Sequence, residues 1–319
     1  MKTILVGDIH IGKSFPYSNR VTAPRWAALQ DDTIERILRL TEIHGIIQLG
    51  DLFDTPTVNC HDFVRGWEFA QKCEYVIAGN HDLSNNTERT SAIELLLKLG
   101  CHVVRDTLIT NEFYIVPHHL LQKDFEESLE SLGSAGLTLL HCNFGYFPGQ
   151  PTENYLTTQM AQKLGKVISG HEHDYKQVGN VTMLGSILPM NFGEMTDKYI
   201  MVVNEDQTEF ELVCIWEKDR NYAKVSAREF LDIPLDAALQ FIEIFGNVTP
   251  EENLLVSQRV IEWYTKNKTV IAIKNTICLQ TSSASFDDTD DDSPVLLDWV
   301  EIVKQSMSEE QIAVLGEVL

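Results

Sequence analysis

Short apolar runs, each closed by a glycine or a polar turn, recur through the first half of the chain. They are Ile4-Leu5-Val6, Ile46-Ile47-Gln48-Leu49, Tyr75-Val76-Ile77-Ala78, Leu137-Thr138-Leu139-Leu140 and Val167-Ile168. Runs this short, bounded by turn residues, predict buried strands. Between them, residues 31–40, 61–72, 90–99 and 154–164 carry helical character. Strand and helix alternate, which predicts an α/β core. After Gly170 the pattern changes to short strand-like stretches at 181–184, 199–203 and 210–216, which extend or cover a sheet edge.

Residues 217–279 read as a separate small α/β unit. Its helix start, Thr249-Pro250-Glu251-Glu252, combines an N-cap, a proline at the first helical position and a glutamate three residues after the cap. Residues 281–293 are Ser- and Asp-rich and have the composition of a solvated acidic linker. Helical signals resume at Ser293-Pro294, with Leu296, Trp299, Val300 and Val303 on one stripe, and again at Ser308-Glu309-Glu310-Gln311. The expected organisation is a core over 1–216, a small domain over 217–280, a linker over 281–293 and a helical tail over 294–319. Such a tail folds back on its own chain or docks on a partner.

Each predicted strand ends on a polar block: Gly7-Asp8-Ile9-His10, Gly50-Asp51, Gly79-Asn80-His81-Asp82, His141 and Gly170-His171-Glu172-His173. An open α/β sheet gathers its site beyond the carboxyl ends of its strands, so these blocks converge. Asp8 and His10 are two residues apart and point the same way on an extended strand end; His171 and His173 repeat that spacing. A lone histidine on a strand is usually a packing or surface residue. Five blocks at equivalent positions point instead to two divalent cations sharing one carboxylate, within a mixed oxygen and imidazole donor set. Manganese fits that set, as do iron and zinc.

The 319 residues suffice for a large core without disulfides, and Cys60, Cys73, Cys101, Cys142, Cys214 and Cys278 show no C-x-x-C spacing. Reduced thiols and the lack of any long apolar run lead us to expect a cytoplasmic protein that does not engage membranes. The net charge of -22 argues against a broad basic face for nucleic acid. Residues from Thr281 onward account for -9 of it and leave -13 for the rest. A phosphodiester substrate stays open where metal ions or a partner supply the positive charge.

Gly7 to Ser14 also satisfies the G-x-x-x-x-G-K-S pattern of a phosphate-binding loop. That loop must open a helix, whereas Phe15-Pro16-Tyr17-Ser18-Asn19 reads as irregular chain. His118 and His119, after Pro117, read as a surface loop, with a place near the cleft as the lesser alternative, and Glu172, between two donors, faces away from the site.

The order Asp-x-His, Gly-Asp, Gly-Asn-His-Asp, His, Gly-His-x-His over residues 7 to 173 resembles the calcineurin-like metallophosphoesterases. The resemblance implies a β-sandwich flanked by helices (αββα). It implies that Asp8, His10, Asp51 and His173 hold one metal, and that Asp51 bridges to a second held by Asn80, His141 and His171. His81 takes the role of protonating the departing oxygen or steadying the transition state, and Asp54 that of pairing with His81. Gly50 to Asp54 and Gly185 to Glu194 further resemble the SbcD-type nuclease subunits of bacteria and their phages. That likeness implies a manganese-dependent DNA exonuclease and endonuclease in end processing, repair and recombination. It also implies a capping domain after the core, a C-terminal tail that binds an SMC-like coiled-coil ATPase, and possible homodimers through the core. The competing readings are a phosphodiesterase or phosphatase for small nucleotides or phosphoproteins, and a scaffold without catalysis.

Overall fold

The computed structural model describes residues 2–40, 44–83, 90–133, 136–145 and 154–279, so the predicted linker at 281–293 and tail at 294–319 lie outside the described residues. The described residues form two compact units, one of residues 2–14 and 27–218, the other of residues 15–26 and 219–279.

The first unit contains two six-stranded sheets. One runs in the order Phe210–Trp216, Lys198–Val203, Lys2–Val6, His44–Gln48, Cys73–Ile77, Val103–Val104. Its strands from Lys2–Val6 to Val103–Val104 are parallel, and Lys198–Val203 joins antiparallel. The other runs in the order Lys176–Val178, Val181–Met183, Lys166–Gly170, Leu137–His141, Phe113–Val116, Leu108–Ile109, with its central four strands parallel. Leu5, Ile47, Ile77 and Met201 from the first sheet pack against Ile115, Leu139 and Ile168 from the second. Ile4, Val6 and Ile46, one residue out of phase, are buried too. Strands covered on both faces read as unbroken apolar runs, which is why the sequence shows runs and not alternation.

Helices supply that second cover. On the outer face of the second sheet, Val116, Leu140, Val167 and Met183 meet Phe125 and Leu129 of helix Gln122–Glu130, together with Ala161 and Leu164. Helix Cys60–Ala70 packs on Cys73–Ile77 of the first. The α/β sandwich flanked by helices is thus the architecture present. Helix Gln122–Glu130 had no sequence signal, because only Phe125 and Leu129 of its nine residues are buried. The expected helix at 154–164 is divided into strand Tyr155–Leu156 and helix Thr158–Ala161. Thr157 splits it by taking an extended backbone and capping the helix. The first helix, Ala23–Leu40, begins before the expected residue 31, since Asn19 Oδ1 accepts from the N–H groups of Val21 and Thr22 and Pro24 fits the first turn.

In the second unit Tyr222–Ser226, Phe241–Val248 and Ala272–Leu279 form a parallel three-stranded sheet with Phe241–Val248 central. One face buries Ile242, Ile244, Val248 and Ile273 against Phe230 of helix Ala227–Asp232 and Val256 and Trp263 of helix Pro250–Lys266. That helix starts where the sequence places it. Thr249 Oγ1 accepts from Glu252 N–H at 3.2 Å, and the Glu252 carboxylate accepts from Thr249 N–H at 3.0 Å. Phe15–Trp26, which the sequence pattern groups with the core, belongs to this unit. The rings of Phe15 and Trp26 lie 4.6 and 6.4 Å from that of Phe241, and Arg25 donates to the carbonyls of Asn267 and Val270.

Candidate metal centre

All five polar blocks sit where their strands end, with His141 the last residue of Leu137–His141. The first two turns are laced together. Ile9 N–H and His10 N–H both donate to the Asp51 carbonyl, at 3.1 and 3.0 Å, and Ile11 N–H donates to that of Leu52. From beneath, the buried Gln30 amide donates to the carbonyls of Ile9 and His10 at 2.9 and 3.2 Å. The donors are not aimed by an extended pleat, as the two-residue spacing suggests. His10, Asp51 and His171 have φ of 51°, 54° and 83°, so left-handed turns direct them. Two glycines make room: a Cβ on Gly50 would lie 2.0 Å from His141 Nδ1, and one on Gly79 would lie 2.1 Å from Asp51 Oδ1.

Two compact groups result. Donor atoms of His10, Asp51 and His81 lie within 4.8 Å of one another, as do those of Asp51, His141 and His171. Asp51 belongs to both. Its Oδ2 lies 3.7 Å from His10 Nε2 and 3.4 Å from His141 Nε2. His173 joins the first group with its Nε2 3.1 Å from His10 Nε2. Asn80 joins the second, its Oδ1 3.0 Å from His141 Nε2 and 2.9 Å from His171 Nδ1. Asp8 is buried elsewhere in the site. Its two carboxylate oxygens each accept from His171 N–H at 3.0 Å, and Oδ1 is 3.6 Å from His141 Nδ1.

These atoms fit divalent cations. Bonds of about 2.1 Å at right angles put neighbouring donors about 3.0 Å apart, and the ligand-to-ligand distances here cluster near that value. The tautomers agree. His141 Nδ1–H donates to the Leu49 carbonyl at 2.8 Å, and His173 Nδ1–H donates to Glu194 Oε1 at 3.1 Å. With Nδ1–H donating, Nε2 of each ring is the nitrogen left to bind a cation once it gives up its proton, and that of His141 faces the Asn80 side-chain oxygen. That approach calls for positive charge between the two atoms, carried by a proton or by a bound cation.

The local field supplies the pull. Burial opposes charge on His141, but Asp51 outweighs it and holds the imidazole up at about 9. Burial likewise raises the Asp51 carboxyl, yet His141, His10 and His81 together bring it below the usual carboxylate range. Asp82 is pushed up, first by burial and then by Asp51. It is fully buried and accepts from the N–H groups of Leu52, Phe53 and Gly79 at 3.3, 3.0 and 3.0 Å, fastening the second turn to the third.

Several expectations need correcting. The Asp54 carboxylate does not pair with His81: it accepts from Lys13 Nζ at 2.9 Å and lies 3.3 Å from His10 Nδ1. The Asp54 main-chain carbonyl, 2.7 Å from His81 Nδ1, fixes that tautomer instead. The backbone turn after Asp51 presents the carbonyl to His81 and the side chain to the opposite side. His118 is not on the surface. It is buried, its N–H donates to the Ala78 carbonyl at 2.9 Å, and its ring centroid is 6.3 Å from that of His141. The strand Phe113–Val116 ends beside the third turn and carries it inward. Lys13 and Ser14 open no helix, so the phosphate-loop pattern lacks its context. Glu172 does face away and accepts from Phe144 N–H at 2.9 Å. Sequence reasoning missed Gln30, Glu194 and Lys198, the last a buried lysine donating to the His173 carbonyl at 2.9 Å. Their sequence surroundings gave no signal, since Gln30 is followed by Asp31-Asp32 and Lys198 is preceded by Thr196-Asp197.

No helix among the described residues is long and apolar enough to cross a membrane. No curated protein matches the chain. The profile of the calcineurin-like phosphoesterases matches residues 1–175, more than half of the 319. Every residue of both compact donor groups falls within that span, and the family's activity depends on metal ions. The chain belongs to the calcineurin-like phosphoesterases and is a metal-dependent phosphoester hydrolase.

Proposed function

We propose that this hydrolase is a DNA nuclease subunit of the SbcD type, cutting phosphodiesters with two manganese ions in the processing of DNA ends for repair and recombination. The observation that carries this reading is the stretch Gly185 to Glu194, the segment that resembles those subunits. It forms a wall of the metal centre: Ile187 N–H donates to the Asp8 carbonyl, Ser186 N–H to that of His173, and Glu194 accepts from His173. Asp8, His10, Asp51 and His173 would hold one ion, and Asp51, Asn80, His141 and His171 the other. Bound ions of this kind acidify a water and offset charge on the phosphoryl oxygens. His81 works beside them. With Nδ1–H donated to the Asp54 carbonyl, its Nε2 is the nitrogen presented to the departing oxygen. Asp54 thus serves His81 through its main chain.

The proposed assembly has three further parts. Residues 217–280 act as the cap, residues 294–319 bind an SMC-like ATPase, and the core pairs with a second copy. Val64, Leu95, Leu97 and Leu99, exposed on and just after helices Cys60–Ala70 and Ala92–Lys98, supply apolar surface for that pairing. A hydrolase for small nucleotides or phosphoproteins is the second reading, favoured by the net charge of -22. The test incubates the protein and manganese with linear duplex DNA beside a small chromogenic phosphodiester. DNA cleavage lost in His81→Ala is expected. Hydrolysis of the chromogenic ester with DNA left intact, alone and with the ATPase, would refute the nuclease reading. Deleting residues 294–319 should abolish ATPase association.

A further inference from the structure

The two halves of the metal centre are backed differently. His173 Nδ1 meets the Glu194 carboxylate at 3.1 Å, and Glu194 is itself held by Met190 N–H at 3.0 Å and by the Asn191 side-chain amide. His10 Nδ1 lies 3.3 Å from the Asp54 carboxylate, an ion-pair distance without hydrogen-bond geometry, and that carboxylate is anchored by Lys13. The two proposed imidazole ligands of the first ion, His10 and His173, therefore have a carboxylate beside Nδ1, hydrogen-bonded at His173, whereas His81 of the same group is backed by the Asp54 carbonyl. In the second group His141 Nδ1–H goes to a peptide carbonyl, that of Leu49, at 2.8 Å, while Asp8 stays at 3.6 Å with its oxygens occupied by His171 N–H. The remaining oxygen donor of that group, Asn80, is neutral.

A carboxylate behind a ligating imidazole raises its basicity and fixes the ring, and its loss typically costs 10–100-fold in metal affinity. A carbonyl fixes the ring without adding charge. We infer that the two metal positions are unequal, and that the one built on His10 and His173 takes its ion first and more tightly, with Glu194 and Asp54 as positioning residues. The inference rests on the two-ion reading above and adds an order of loading to it. It also gives Asp54 a second duty, through its carboxylate, beside the one its carbonyl performs for His81.

The experiment is a manganese titration of the full chain, with free ion followed by electron paramagnetic resonance and heat by calorimetry, neither of which needs turnover. Two steps are expected for the unaltered protein. Glu194→Gln and Glu194→Ala should weaken the tight step by about 10–100-fold and leave the other step in place, whereas Asn80→Ala should weaken only the loose step. Thermal melts without metal separate binding loss from unfolding, and Glu194→Gln keeps shape if the alanine variant fails to fold. Two equal steps in the unaltered protein, or a tight step unmoved in Glu194→Gln, would overturn the inference while leaving the two-ion reading intact. A single bound ion, or none, would overturn that reading itself.

Discussion

Gly79→Ala is the sharpest perturbation of the shared carboxylate. The added methyl would sit 2.1 Å from Asp51 Oδ1 and 2.3 Å from Asp51 N, both inside any tolerable contact. Reaching ordinary van der Waals distance requires an opening of about 1.3 Å. Neither side yields freely. Gly79 N–H is fixed to Asp82, and Asp51 is fixed by its carbonyl to Ile9 and His10 and by Oδ1 to His81 N–H at 2.9 Å. The carboxylate therefore moves relative to both donor groups at once. A misplacement of about 1 Å costs about 10²-fold in rate, equivalent to about 2.7 kcal/mol of transition-state stabilisation. The overpacking itself should destabilise the fold by about 1–3 kcal/mol, which a thermal melt resolves from the catalytic loss. The assay is manganese-dependent hydrolysis of a chromogenic phosphodiester beside calorimetric metal counting. Gly133→Ala, whose new methyl meets nothing nearer than Tyr114 Oη at 3.4 Å, is the control. Activity within about threefold of the unaltered protein, with both ions bound, would refute the claim that Asp51 joins the two groups from this fixed position.

Asp82→Asn should lower stability by about 1–3 kcal/mol, because an amide nitrogen would confront a backbone N–H where a carboxylate now accepts three; an unchanged denaturant midpoint would contradict this. Burial, then the nearby His141, holds the His118 imidazole down at about 3, so the unfolded chain binds more protons than the folded one below pH 6.5. Stability of the metal-free protein contributed by this group should be complete above that pH and lost as pH falls toward 3. His118→Leu should flatten that limb in urea titrations, and an unchanged slope would count against the burial.

The apolar runs disclosed the strands, and the blocks after them disclosed the site, because both depend on local chain order. Leu137, Leu139 and Leu140 are apolar and His141 reaches the donor cluster for one reason: the strand is covered on both faces and ends at the crevice. What stayed illegible depends on how the chain folds back. Nothing near Phe15 shows that it will meet Phe241, more than two hundred residues on. Helix Gln122–Glu130 offers only two buried residues to a pattern search. Asp54 was legible as a site residue, but the direction of its side chain turns on a backbone torsion that sequence spacing does not encode. His118 looked like a loop residue because what holds it inside is distant in sequence: its N–H donates to the Ala78 carbonyl and its ring lies beside that of His141.

The left-handed backbone at His10, Asp51 and His171 sets a trade-off between robustness and activity. Each such residue costs about 1–2 kcal/mol relative to ordinary helical or extended backbone, so three together are a noticeable share of a typical net stability of about 5–15 kcal/mol. Glycine at any of the three would relieve the cost and remove a donor. A search for more heat-resistant variants of this chain would therefore be drawn to the positions where the hydrolase can least spare a side chain.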